Sequence, residues 1–200
     1  MRLARTSSIV IATFLIYAGA GAAIAALARG VPQGQHGRTN MAEVLPAFLS
    51  PREISELRGR ATATDGWTTG RQGTGYDILP LKHVLPADPG TLITRSLAQL
   101  GTPFDDYWDV YLIRYPDGAH IARHVDAAQH GKRHRRINAV LTPASAGGEL
   151  WIDDRRIELA VGDAVRFYPD REVHEVTRVV GTRLLFSVGA WIEPDSAVAP

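Results

Sequence analysis

The sequence predicts a chain that is α+β but mainly β: a double-sheet antiparallel jelly roll with helices from its N-terminal half packed on one sheet. Three observations carry this. From residue 107 onward, short β-like runs recur between turn formers, at 108–115, 120–125, 137–142, 149–152, 156–159, 164–168, 173–179 and 183–191. No helical periodicity intervenes between them, so there are no crossover helices of the kind a parallel sheet needs. Ahead of the runs stand two segments with helix-start signals, and 200 residues with 45% hydrophobic side chains suffice for one core.

Taken in order, Arg2 and Arg5 precede an apolar run over residues 9–28 that Arg29 closes. About twenty apolar residues can span a bilayer. Ala26-Leu27-Ala28 also has the small-x-small form of a signal peptidase site. Both readings stand: an uncleaved membrane anchor, or a signal peptide. Residues 30–40, with Pro32, read as a flexible linker. The folded domain is expected over 41–193, with a tail at 194–200, and translation from Met41 would give a cytoplasmic protein instead of a membrane-associated one.

Ser50-Pro51-Arg52-Glu53 joins an N-cap serine, proline at the first helical position and glutamate at N3, so a short helix starts there. Asp88-Pro89 opens a second helix, in which Leu92, Ile93, Ser96, Leu97 and Leu100 recur at helical spacing until Gly101 stops it. Between them, residues 66–81 are rich in glycine and threonine and hold Trp67 and Tyr76. This stretch is expected to be a loop or irregular hairpin near the mouth of a site.

Composition narrows the chemistry. With 22 basic against 21 acidic side chains and a net charge of +1, the chain has no global field that would gather nucleic acid. The absence of cysteine excludes disulfides, cysteine nucleophiles and thiolate metal sites, leaving His and carboxylate as ligands. His124 and Asp126 lie two apart in a β-like run and so point to one face. With His174 they would make two imidazoles and one carboxylate, the set that leaves coordination positions open in non-heme Fe(II) oxygenases. His120 shares the face of His124 and is a candidate pocket residue, whereas His36, His83, His130 and His134 are read as packed or solvated.

Nine residues after His174 comes Arg183, within Val179-Val180-Gly181-Thr182-Arg183-Leu184-Leu185-Phe186-Ser187-Val188-Gly189-Ala190-Trp191. Tyr115-Pro116-Asp117-Gly118 precedes the first ligand pair, Gly147-Gly148-Glu149-Leu150 lies midway, and Gly162-Asp163-Ala164-Val165-Arg166-Phe167 leads to His174. In order and spacing this resembles the 2-oxoglutarate and Fe(II)-dependent oxygenases of the prolyl 4-hydroxylase type, over roughly residues 41–193. The resemblance implies a double-stranded β-helix (cupin-like) core and Fe(II) held by His124, Asp126 and His174. It makes Arg183 the anchor for the far carboxylate of 2-oxoglutarate, a pairing that suits the guanidinium fork. Tyr115 and Ser187 fall where the family has hydroxyls that share that carboxylate, while the tyrosine many relatives carry on the 137–142 strand is missing. O2 and, by the same resemblance, ascorbate are the remaining cofactors.

The implied reaction hydroxylates a C–H bond, with 2-oxoglutarate decarboxylated to succinate, on a prolyl or other amino-acid side chain, free or peptidyl. The rival reading is a non-catalytic metal- or ligand-binding jelly roll, for which Arg183 at that spacing has no use. The basic run Lys132-Arg133-His134-Arg135-Arg136 is read as a solvated loop, one that could attract an acidic peptide. Related alkylation-repair dioxygenases carry a second arginine six residues after the first; Gly189 stands there, so a nucleic-acid partner is not expected.

Overall fold

Cap chemistry sets where each helix begins in the computed structural model, which describes residues 42–85, 91–102, 108–129 and 131–193. After β1 (Glu43–Leu45), α1 (Pro51–Ala63) opens on a full capping box: the Ser50 hydroxyl accepts from the Glu53 amide and the Glu53 carboxylate accepts from the Ser50 amide. β2 (Thr68–Thr69) and β3 (Asp77–Pro80) follow, so the 66–81 stretch is indeed a short hairpin. Arg114 pins it, paired with Asp77 at 2.8 Å and stacked over the Trp67 ring at 4.3 Å. α2 (Leu92–Leu100) is capped by Thr91 and stopped by left-handed Gly101. The expected opening at Asp88-Pro89 lies outside the described residues.

The strands then come in quick succession: β4 (Trp108–Tyr115), β5 (Ile121–His124), β6 (Arg133–Thr142), β7 (Ala146–Gly147), β8 (Leu150–Ile152), β9 (Arg155–Ile157), β10 (Ala164–Phe167), β11 (His174–Val176), β12 (Val179–Val180) and β13 (Arg183–Ile192). They form a seven-stranded sheet in the order β1-β10-β6-β13-β4-β3-β2, a four-stranded sheet in the order β5-β11-β8-β9, and the small pair β12-β7. Every recorded pairing is antiparallel. The basic run is not a loop, for β6 already begins at Arg133, and the 173–179 run is two strands, β11 and β12.

Strand alternation divides the large sheet into two faces. On β13, Leu184, Phe186, Val188 and Ala190 join Leu57 of α1 and Ile93, Leu97 and Leu100 of α2 in one core. Leu185 turns the other way and packs with Ile152 and Val176 of the small sheet, beside Tyr115, Val140 and Phe167. This second, inter-sheet layer is where inward-facing polar residues of β4, β6 and β13 meet the small sheet. The β8–β9 hairpin turns on Asp153 and Asp154, both at positive φ (46° and 64°), the conformation a two-residue type I′ turn requires. Gly147 is needed for space as well as for its φ of 64°, since a Cβ there would sit 2.1 Å from the Arg178 carbonyl oxygen.

All described residues fall in the unit 39–200. The expected membrane segment at 9–28 lies outside them, and no described helix is long and apolar enough to cross a membrane.

Candidate active site

The pairing of β5 with β11 puts His124 directly opposite His174, and the chain leaving β5 brings Asp126 back to the same place. A hydrogen bond of 2.8 Å from the Asp126 amide to the Pro169 carbonyl holds that return. One ligand atom from each of the three residues lies within 4.8 Å of the others. Both histidine rings have their Nδ1 spoken for by backbone, His124 by the Ala122 carbonyl at 2.8 Å and His174 by the Glu172 carbonyl at 3.0 Å. Each ring therefore donates from Nδ1 and turns Nε2 toward the site. His124 Nε2 lies 3.2 Å from Asp126 Oδ1 and donates to it when the ring is protonated, and loss of that proton leaves the bare Nε2 a metal ligand needs.

Electrostatics keep the set ready for a cation. Burial alone would raise the Asp126 carboxyl, but hydrogen bonds from His124 and His134 and the surrounding positive charge outweigh it and hold it well below the usual carboxylate range. Hydrogen bonding to Asp126 raises His124. Burial pushes His174 down to about 4. For His174 the sign is clear: the folded state prefers the neutral ring, so the stability it contributes is complete above the unfolded value near 6.5 and is lost as pH falls toward about 4. At about 1.4 kcal/mol per pH unit that window is worth on the order of 3 kcal/mol. Burial also lowers His134, which adds to the same loss, while raised His124 opposes it, stabilising at low pH and less as pH rises. Thermal melts of the metal-free protein should show a fall in melting temperature across this window; a flat profile would contradict the buried neutral His174.

The triad opens into a cavity of about 350 Å³ that Arg183 and Tyr115 also line. Arg183 is 6% exposed, and its Nη1 finds no hydrogen-bond acceptor among the described residues. Burial lowers its affinity for the proton, although a guanidinium stays charged. A buried cation without a counter-charge is costly, which makes this wall of the cavity a place for a carboxylate. Tyr115 is Arg183's cross-strand neighbour, its ring 5.5 Å from the guanidinium carbon and stacked on Tyr76 at 5.7 Å. Burial pushes the Tyr115 phenol up to about 12, so it remains a hydrogen-bond donor at neutral pH.

Ser187 does not join them. Its hydroxyl donates to Asn138 Oδ1 at 2.7 Å and accepts from Arg136 Nη1 at 2.7 Å, so it has no proton left to give a carboxylate. His120 is absent from the cavity lining; its backbone instead hydrogen-bonds the 70–76 loop through Thr74. That loop brings Arg71, Gln72 and Tyr76 to the cavity, as expected of a hairpin at the mouth.

The basic run is spent internally, contrary to the solvated-loop expectation. Lys132 pairs with Glu193 at 2.6 Å and Arg133 with Asp170 at 3.2 Å, while Arg135 donates to the Leu100 carbonyl at 3.2 Å. Arg136 faces the cavity, bound to Asp109 at 3.1 Å, and so offers no free charge to an acidic peptide. His134, read from sequence as merely packed or solvated, is 2% exposed and its Nδ1 lies 3.3 Å from Asp126 Oδ2. The only signal that could have found it was its even spacing from Arg136 and Asn138 on β6. Gly189 has its own reason: a Cβ there would come within 2.7 Å of an Asp109 carboxylate oxygen and 2.8 Å of Arg136 Nη2, so any side chain at this position would have to displace that ion pair.

Comparison with known proteins agrees with this geometry. The profile of the 2OG-Fe(II) oxygenase superfamily matches residues 110–193. A PKHD-type hydroxylase of Paraburkholderia phymatum is 31% identical over 183 residues, covering 76% of this chain and 80% of that protein. Another, from Xanthomonas campestris, is 29% identical over 170 residues, covering 70% and 74%. Among solved structures, a Pseudomonas putida prolyl-4-hydroxylase superposes with a TM-score of 0.58 at 21% identity, covering 78% of this chain and 94% of the other. HygX from Streptomyces hygroscopicus, bound to nickel and 2-oxoglutarate, gives 0.57 at 14% identity, covering 77% and 84%.

Proposed function

This chain belongs to the 2OG-Fe(II) oxygenase superfamily and is a 2-oxoglutarate-dependent hydroxylase using Fe(II); from that premise we propose that it hydroxylates a prolyl or other amino-acid side chain, free or within a peptide. Fe(II) is held by His124, Asp126 and His174, Arg183 anchors the far carboxylate of 2-oxoglutarate, and Tyr115 donates to the same group. The observation that carries the reading is one cavity walled by both a triad that could hold a cation and a buried guanidinium whose Nη1 has no acceptor among the described residues. The metal supplies oxygen activation coupled to cosubstrate decarboxylation. The protein's residues orient the cosubstrate, wall off water, and fix both histidine tautomers. The similarity to a P. putida prolyl-4-hydroxylase, and to a Trichoplax adhaerens prolyl hydroxylase solved with a peptide fragment of a hypoxia inducible factor, favours a peptide substrate.

The test is succinate formation from 2-oxoglutarate with Fe(II), screened against proline-containing peptides and free amino acids with mass analysis of the products. A gain of one oxygen on a prolyl residue supports the reading; stimulation only by compounds unrelated to amino acids would replace it. On location, the proposal is that residues 1–40 target or tether the protein and take no part in catalysis. Residues 41–200 alone should then turn over 2-oxoglutarate at a rate close to the full chain's, and an inactive truncation beside an active full chain would refute this.

A further inference from the structure

Behind Asp126 runs a line of buried polar groups that nothing in the reaction itself calls for. His134 Nδ1 is 3.3 Å from Asp126 Oδ2, and Arg136 Nη2 donates to His134 Nε2 at 3.1 Å. Arg136 is held in turn by Asp109, whose two carboxylate oxygens lie 3.1 Å from Nη2, and by Ser187 at 2.7 Å from Nη1. The His134 ring lies flat on Trp191, centroids 4.8 Å apart and planes 3° from parallel.

This order of partners leaves the imidazole no choice of tautomer. A guanidinium can only donate, so His134 Nε2 must accept, and the proton of the ring must sit on Nδ1, facing Asp126. The carboxylate thus has its two oxygens assigned to different tasks. Oδ2 is taken by His134, and Oδ1 is left toward His124 Nε2, 3.2 Å away, where the triad converges.

We propose that His134 is a positioning residue for the metal site: it holds Asp126 by one oxygen and turns the other toward the ion, its own proton aimed by Arg136 and Asp109. The inference rests on the reading of His124, Asp126 and His174 as the metal ligands. It gives β6 a role in the site although no β6 residue belongs to the triad. It also accounts for the placement of His134 and Arg136 in a strand otherwise built for the core. Partners that orient a ligand from behind are worth roughly 10- to 100-fold in metal affinity.

The test measures Mn(II) affinity of the full chain, with no cosubstrate or turnover involved, in the wild type and in Asp126→Ala, His134→Phe, His134→Asn and His134→Gln. Phenylalanine keeps the stack on Trp191 and loses the donor. Asparagine can place an N–H where Nδ1 stood, whereas the longer glutamine places its amide nearer the position of Nε2 and Arg136. The expected result is an affinity lowered about 10- to 100-fold in His134→Phe and His134→Gln and largely restored in His134→Asn, with melting temperatures near wild type. Should His134→Phe not fold, the asparagine and glutamine pair makes the same comparison. Affinity in His134→Phe or His134→Gln within about threefold of wild type, while Asp126→Ala has lost binding, would overturn the positioning role and leave the triad intact. Equal loss in all three His134 variants would also overturn it, since the ring and not its donor would then matter. A wild type that binds no Mn(II), or an Asp126→Ala protein that binds as well as wild type, would overturn the triad reading itself.

Discussion

Replacing Asp126 with alanine should abolish tight metal binding, and with it all turnover, in a protein that still folds. Two imidazoles remain, His124 and His174, and neither carries charge when metal-bound, so the ion would be left mostly to water. The loss should exceed the roughly 10- to 100-fold expected when a ligand merely loses its supporting partner. Stability is expected to move by less. The His134 Nδ1–H, 3.3 Å from Asp126, and the His124 Nε2, 3.2 Å away, each lose a partner, and an abandoned buried donor costs about 1–3 kcal/mol. Part of that returns because burying the carboxylate itself is unfavourable, as the tendency of burial to raise its pKa shows. Equilibrium titration with Mn(II), paired with a thermal melt, separates the two effects. Unchanged affinity in a folded Asp126→Ala protein would remove Asp126 from the site.

The residues that sequence reading could reach were those whose spacing is short or whose family order is strict. His124 and Asp126 sit two apart, and His174 and Arg183 keep their interval, so these four could be singled out as candidates without coordinates, and the structure brings them to one cavity. The main strands were legible for the same local reason: β4 runs over Trp108–Tyr115 as expected, and β13 over Arg183–Ile192 overshoots by one residue. What was not legible depends on which strand lies beside which. Asp109 and Arg136 come from different strands that do not pair with each other, joined across β13 at Gly189. Nothing local in Lys132-Arg133-His134-Arg135-Arg136 says that alternate side chains go to opposite faces, because charged residues give no hydrophobic period. Ser187 shows the reverse failure. It keeps strand parity with Arg183, but Arg136, a neighbour brought by β6, claims its hydroxyl first.

The two-residue strands were missed for a related reason. β7 and β12 pair Ala146 with Val180 and Gly147 with Val179, too short a stretch for any alternation to show. Their position nonetheless matters, for the glycine turn they carry closes against Arg183. A Cβ on Gly148 would come within 3.2 Å of Arg183 Cδ, so Gly147-Gly148 shapes the wall against which the arginine stem lies.

Arg183→Ala should raise the concentration of 2-oxoglutarate needed for half-maximal turnover while leaving Mn(II) affinity close to wild type. A charge-assisted contact in a dry pocket is worth roughly 2–5 kcal/mol on truncation, equivalent to about 30-fold or more in apparent affinity. The same substitution is expected to leave the cosubstrate-free protein no less stable. Arg183 is 6% exposed and its Nη1 has no acceptor among the described residues, so the folded chain carries part of the desolvation of this cation uncompensated. Removing it trades that cost against a lost aliphatic stem and a new cavity, and the melting temperature should hold or rise even as the cosubstrate requirement climbs. A residue kept for packing would behave in the opposite way, lowering stability and sparing the cosubstrate. Arg183→Lys divides the question further: a point charge replaces the fork, so part of the binding should return without bidentate geometry. Wild-type dependence on 2-oxoglutarate in Arg183→Ala would mean that the anchor lies elsewhere in the cavity.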